Sequence, residues 1–137
     1  MLGALLNEWQ LNRPFVVGHD FGGTTVLRNH ILNERTYKKI IVIDPVALSP
    51  WGSPLFKHVR KFEAAFAGVR DYIHQPVLIL WGEEDKWIPV EQAHCLHQLI
   101  PNSKLVTVPQ AGHLVIEDRP EILISEIKDF LNRPNEN

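Results

Sequence analysis

A glycine-flanked turn is the part of the chain whose residue types are best suited to chemistry. The residues Gly18-His19-Asp20-Phe21-Gly22-Gly23 lie between a short apolar run, Phe15 to Val17, and a helical pattern. A small-x-nucleophile-x-small pattern at a strand-to-helix junction is typical of a nucleophile elbow. We expect side chains at the flanking positions, Gly18 and Gly22, to clash in such a turn, while Asp20 points outward toward a substrate.

The aspartate in the middle of this turn decides which chemistry is expected. An aspartate side chain is ordinarily ionised at neutral pH, so it can attack without the help of a base. A carboxylate is suited to displacement at a saturated carbon, which leaves an ester between the enzyme and an alkyl group. Water must then hydrolyse that ester, and a neutral histidine oriented by a second carboxylate would activate the water.

Both partners follow Asp20 in the order nucleophile, acid, histidine. Asp85 follows a predicted strand at residues 76–81, and His113 follows a predicted strand at residues 105–108. The 28 residues between them (113 − 85) accommodate one helix and one strand. Both side chains should therefore reach the edge of the sheet where the strands end, which is where open α/β sheets bind ligands.

Other acidic residues are alternatives to Asp85. Glu83 and Glu84 lie on the same predicted loop, and Asp44 lies at the end of the preceding predicted strand. We favour Asp85 as the acid and keep Asp44 as the main alternative.

The periodicity of apolar residues predicts the elements that position this turn. The continuous run Ile40 to Ile43 indicates a strand that is buried on both faces, as in a parallel sheet. Alternation of short apolar strands with helices predicts an α/β fold with a mainly parallel sheet. The predicted helices are 2–10, 24–32, 56–67, 90–99 and one that begins near Pro120, and the predicted strands are 15–17, 39–44, 76–81 and 105–108.

Bulk properties narrow the range of functions. The 137 residues, 45% of them hydrophobic, predict one domain over 1–137 with a packed core. A formal charge of −2 gives no reason to expect nucleic acid or an anionic membrane as a partner. With one cysteine, no signal-like start and no apolar run of about 20 residues, a cytoplasmic location is expected. No CxxC, HxH or HExxH spacing appears, so we expect no metal and no cofactor.

Three stretches together, GHDFGG, WGEEDKWIP and PQAGHLVIEDRPE, resemble the α/β-hydrolase superfamily. Within it they look like the branch that holds epoxide hydrolases and haloalkane dehalogenases. The resemblance implies Asp20 as nucleophile, His113 as base, Asp85 as orienting acid, and the backbone N–H of Phe21 as one oxyanion-hole donor. It also implies a small apolar epoxide or alkyl halide as substrate, with water as the second reactant. The side chains expected to line the site are His19, Phe21, Trp51 and Trp87.

The chain departs from the family pattern in two places. The family has several strands before the elbow, and a loop after one of them supplies the second oxyanion donor. The given sequence has only about one helix and one strand before the elbow, so it does not contain that loop. Only 32 positions (76 − 44) separate two predicted strands where the family inserts a helical cap, so a residual cap or linker is expected at about 45–75. The expected fold is therefore a partial α/β-hydrolase of about four strands flanked by helices, without the N-terminal strands and most of the cap.

This partial fold has consequences for association and for activity. The strand at 15–17 would form an exposed apolar edge, so we expect the chain to form a homodimer there, to pair with a missing segment, or to be poorly stable alone. Loss of one oxyanion donor costs about 10²–10³ in rate. The alternative function is therefore a catalytically impaired fragment, or an interaction module that needs a missing N-terminal half.

Overall fold

The computed structural model describes residues 2–47 and 73–134. Helices and strands alternate along these two segments up to the closing pair of helices, as the apolar pattern predicts. The elements in chain order are α1 Leu2–Glu8, β1 Phe15–His19, α2 Phe21–Asn33, β2 Lys39–Ile43, β3 Val77–Gly82, α3 Glu91–Leu99, β4 Ser103–Val108, α4 Val115–Asp118 and α5 Pro120–Asn132.

The four strands form one sheet in the order β1-β2-β3-β4, and every neighbouring pair is parallel. Residue Ile41 of β2 lies opposite Val17 of β1 and Leu78 of β3. Because all four strands run in the same direction, their carboxyl ends lie along one edge. The prediction of an α/β fold with a parallel sheet is confirmed.

The two central strands carry the core. Every residue of β2 and β3 is buried. Ile40 and Val42 pack on one face of the sheet with residues of α1, α2 and α3, whereas Ile41 and Ile43 pack on the other face with residues of α5. Helices therefore cover both faces, which confirms the burial predicted from the continuous apolar run.

Strand β1 lies at the edge of the sheet and presents apolar side chains to solvent. Phe15 and Val17 are 50% and 51% exposed. Within the described residues β1 pairs with β2 on one side, and no strand pairs with its other side. The exposed apolar edge is thus present in the described part of the chain, while its association with a partner stays a prediction.

Some details differ from the sequence-based expectation. Helix α2 begins at Phe21 rather than at Thr24, so it follows Asp20 directly. The four-residue helix α4 was not predicted because so short a helix carries no periodic pattern. The proposed cap or linker at 45–75 lies mostly outside the described residues, which omit 48–72, and the predicted helix 56–67 lies wholly outside them. Across the described segments, no helix combines the length and the apolar character needed to cross a membrane.

Candidate active site

A residue with a side chain suited to chemistry follows each of the four strands. Asp20 follows β1 directly, Asp44 follows β2 directly, Asp85 lies three residues after β3, and His113 lies five residues after β4. The parallel sheet brings all four loops to one edge. The site is therefore assembled from segments that are far apart in the sequence.

The backbone holds Asp20 in an unfavourable conformation. Its φ of 52° and ψ of −123° are uncommon for any residue other than glycine. Neighbouring backbone groups fix this conformation, since the N–H of Asp20 donates to the carbonyl of Ile43 at 3.1 Å and its own carbonyl accepts from Gly23 at 3.1 Å. The turn thus has the strained geometry of a nucleophile elbow, with the side chain 32% exposed.

Close packing explains two of the glycines in the turn. A Cβ on Gly18 would lie 2.6 Å from the backbone of Gly22 and Gly23, and a Cβ on Gly23 would lie 2.7 Å from Pro45. A Cβ on Gly22 would meet no atom within 4 Å. The expectation that Gly22 is required was therefore wrong. Gly22 lies within α2, where its Cβ direction faces open space, and Gly23 is the residue that lies against the next loop.

The acid and the histidine form a closely bonded pair. Nδ1 of His113 lies 2.8 Å from Oδ2 of Asp85, and both side chains are buried. The other oxygen, Oδ1 of Asp85, accepts from the backbone N–H groups of Trp87 at 2.7 Å and Ile88 at 2.9 Å. A carboxylate only accepts, so Nδ1 carries the proton of a neutral imidazole and Nε2 has a free lone pair.

That free nitrogen faces the elbow. Nε2 of His113 lies 3.8 Å from Oδ2 of Asp20. This distance is longer than a hydrogen bond, so the two groups are neighbours and do not share a proton directly. The structure thus brings together Asp20, Asp85 and His113, the three residues expected to carry the chemistry.

The alternative acids have other contacts. Glu83 is exposed and accepts from the hydroxyl of Thr107 at 2.8 Å. Glu84 is also exposed. Asp44 is buried, and its Oδ1 accepts from the backbone N–H of Gly82 at 2.9 Å. Asp85 is the carboxylate that the structure places on Nδ1 of His113.

Comparison with known proteins assigns this arrangement to a family. The model of the α/β hydrolase fold family matches residues 53–120. The crystal structure of an α/β hydrolase fold protein from Burkholderia ambifaria is 34% identical, covers 93% of this chain and 70% of that chain, and has a TM-score of 0.77. The chain belongs to the α/β-hydrolase family.

Other relatives match the chain over shorter segments. A Bacillus subtilis protein named uncharacterized hydrolase YugF is 46% identical over 59 residues, which is 43% of this chain and 22% of that protein. A pimeloyl-[acyl-carrier protein] methyl ester esterase from Aliivibrio fischeri is 33% identical over 61 residues, which is 44% of this chain and 24% of the esterase. The matches span about a quarter or less of these two relatives.

Two rings flank the histidine of this α/β-hydrolase site. Nε2 of His19 donates to the backbone carbonyl of His113 at 2.9 Å, and their ring centroids are 5.2 Å apart. The ring of Trp87 lies 4.9 Å from that of His113 and is 69% exposed. Phe21 is exposed at the start of α2, next to Asp20. Trp51, the fourth residue expected to line the site, lies outside the described residues.

Two residues that support the site were not identified from the sequence. A Cβ on Gly82, at the end of β3, would lie 2.2 Å from the carbonyl oxygen of Gly112 and 2.5 Å from that of Ala111. Oδ2 of Asp118 accepts from the N–H of Gly112 at 2.7 Å. Because Gly82 has no Cβ, the loop that carries Asp85 can pack against the loop that carries His113. A glycine at the end of an apolar strand was the available signal for it.

The described segments offer no group of three or more His, Cys, Asp or Glu side chains that could hold a metal ion.

Proposed function

We propose that this α/β-hydrolase cleaves a small alkyl halide or epoxide through an ester formed on Asp20, and that His113 then activates the water that hydrolyses the ester. One observation carries the proposal. An aspartate at the tip of the elbow lies 3.8 Å from the free nitrogen of a histidine whose other nitrogen is bonded to Asp85.

In the first step an oxygen of Asp20 forms a bond to the substrate carbon, and the bond from that carbon to the leaving group breaks. The electron pair of the broken bond departs with the halide, or with the epoxide oxygen. The strained turn supports this step because it leaves the Asp20 side chain partly exposed at the sheet edge. Helix α2 begins at the next residue, and the partial positive charge at its N-terminus favours a negative charge at Asp20.

In the second step water attacks the carboxyl carbon of the Asp20 ester. Nε2 of His113 accepts one proton of the water as the water oxygen bonds to the carboxyl carbon. The bond from that carbon to the alkoxide oxygen then breaks, the alkoxide takes the proton from His113 and leaves as the alcohol, and the carboxyl group of Asp20 ionises again. Asp85 stabilises the positive charge that forms on the imidazole. The backbone N–H of Phe21 is our candidate donor to the oxyanion. Two relatives that match parts of this chain are named as a hydrolase and as a methyl ester esterase, which supports hydrolysis of an ester as the second step.

The two substrate classes differ in what the first step requires of the site. Opening an epoxide requires a proton donor for the alkoxide, a function that tyrosines of the cap usually perform in the family that the sequence resembles. Tyr37 is fully buried, and its hydroxyl accepts from Nδ2 of Asn29 at 2.8 Å. Tyr72, the other tyrosine, lies outside the described residues. A halide leaves as a stable anion and requires no such donor.

Intact-protein mass spectrometry tests the proposal directly. The protein and its His113→Gln variant are incubated with a panel of haloalkanes and epoxides. We expect an adduct to accumulate in His113→Gln, with the mass of the alkyl group for a haloalkane or of the whole molecule for an epoxide, and to be absent when Asp20→Asn is added. His94→Gln and Asp129→Asn, which change exposed residues of α3 and α5, are the matched controls.

Two outcomes would contradict the proposal. An adduct that survives in the Asp20→Asn background would place the nucleophile elsewhere. Absence of adduct and of turnover with every substrate would support the alternative, an impaired fragment or interaction module that needs further chain.

A further inference from the structure

The site contains a third carboxyl group that the proposed reaction does not use. Asp44 follows β2, the strand between those that lead to Asp20 and Asp85. Its side chain is fully buried. Its backbone has a positive φ of 40°, and its N–H donates to the carbonyl of Leu80 at 3.0 Å. A buried acid in a strained backbone conformation, at the centre of the functional edge, requires a physical explanation.

One oxygen of Asp44 has a clear structural function. Oδ1 accepts from the N–H of Gly82 at 2.9 Å. Gly82 is also the residue whose missing Cβ lets the loop of Asp85 approach the loop of His113. Asp44 therefore anchors the point of the sheet from which both partners of the His–Asp pair are positioned.

The other oxygen has no such bond. Oδ2 of Asp44 is buried and has no hydrogen-bond partner among the described residues. Burial raises the pKa of Asp44 to about 8; the bond from Gly82 lowers this pKa, and the nearby carboxylates of Asp85 and Asp20 raise it further. Each of these two carboxylates faces His113, the cationic partner when it is protonated. Burial, with no bond to Oδ2 among the described residues, thus favours the neutral form of the Asp44 carboxyl at pH 7.

We propose that Asp44 is a proton-holding positioning residue of this site. Its Oδ1 fixes Gly82 at the end of β3, and its proton keeps a third negative charge away from Asp20 and Asp85. The site can then contain three carboxyl groups without three negative charges. The arrangement matters for catalysis because hydrolysis of an ester on Asp20 passes through an oxyanion, which an ionised Asp44 would destabilise.

A stability measurement tests the proton without any substrate. Between pH 4 and pH 8 the folded protein holds a proton on Asp44 that the unfolded chain has lost, so its stability falls as pH rises through this window. We compare urea unfolding of the wild type with Asp44→Asn. The ratio of the wild-type unfolding constant to that of the variant should rise by about tenfold per pH unit at most. This ratio should level off above pH 8.

The control for this measurement is Asp129→Asn, on the exposed face of α5. The ratio of the wild-type unfolding constant to that of Asp129→Asn should change little with pH over the same window. If the ratio of the unfolding constants of the wild type and Asp44→Asn is constant from pH 4 to pH 9, the proposal is overturned. If Asp44→Asn does not fold, ¹³C NMR of aspartate carboxyls in the wild type replaces it. A buried carboxyl that titrates near pH 8 is then expected, and titration of every carboxyl below pH 5 would overturn the proposal.

The pH profile of turnover tests the effect on catalysis, and this second experiment rests on the proposed function. Wild-type turnover should fall above pH 8 by about tenfold as Asp44 ionises, and this fall should disappear in Asp44→Asn. An alkaline fall that persists in Asp44→Asn would overturn the link to catalysis. The stability test remains valid if no substrate is turned over, so failure of the proposed function and failure of the proposal are distinguishable.

Discussion

The two halves of the site are held in place by different means. On the β3–β4 side, Asp85 is buried, and its two oxygens bond to His113 and to the backbone of Trp87 and Ile88. On the β1–α2 side, Asp20 is partly exposed, and backbone contacts and close glycine packing fix its position. Side-chain hydrogen bonds therefore orient the base, whereas backbone geometry presents the nucleophile. Mutations on the two sides should fail in different ways.

The largest effect is expected on the side of the hydrogen-bonded pair. Asp85→Asn puts an amide in place of the carboxylate, which disfavours the tautomer with a free Nε2 and removes the charge that stabilises the imidazolium. We expect hydrolysis of the Asp20 ester to slow by about 10³-fold, while formation of the ester changes little. Single-turnover mass spectrometry measures the two rates separately.

The matched control is Glu83→Gln, an exposed residue two positions earlier on the same loop. It should hydrolyse the ester at close to the wild-type rate. If Asp85→Asn stays within tenfold of the wild type, Asp85 is not the orienting acid of this site.

An intermediate effect is expected from the glycines of the elbow. Gly18→Ala puts a Cβ 2.6 Å from backbone atoms of Gly22 and Gly23, so the free energy of unfolding should fall by about 2–4 kcal/mol. Gly22→Ala meets open space within a helix and should raise the free energy of unfolding by up to about 1 kcal/mol. Urea denaturation measures both. Equal destabilisation by the two variants would show that close packing does not hold the elbow.

The smallest effect is expected on the β1–α2 side, at the edge of the sheet that β1 forms. If the chain pairs through this edge, the double change Phe15→Lys and Val17→Lys should raise the dimer dissociation constant by about tenfold or more, because lysines disfavour edge-to-edge pairing. Sedimentation velocity over a concentration series measures the constant.

Ile124→Lys, at an exposed apolar residue of α5, is the control for the loss of surface hydrophobicity and should leave the constant unchanged. A wild-type chain that is monomeric at every concentration and has a high melting temperature would contradict the prediction that this edge needs a partner.

Much of the fold could be predicted because it depends on local patterns. The continuous apolar runs of β2 and β3 indicate strands buried on both faces, and the structure has them in the centre of a parallel sheet. The position of Pro120 in the first turn of α5 also follows from local preference. Element boundaries were less accurate. Helix α2 starts three residues earlier than expected, because residues 21–23 become helical once the elbow turns the chain.

By itself, the sequence determined the order of the main elements, the glycine-flanked aspartate and the order of its two partners. Each of these depends on the types of neighbouring residues or on the periodicity of apolar residues. Only the tertiary structure decided which acid contacts His113, which glycines are packed against backbone, and that Asp44 is buried. The bond between Asp85 and His113 spans 28 positions, and the bond between Asp44 and Gly82 spans 38. Distance, burial and protonation at such separations depend on how the sheet brings its strand ends together, and no local pattern encodes them.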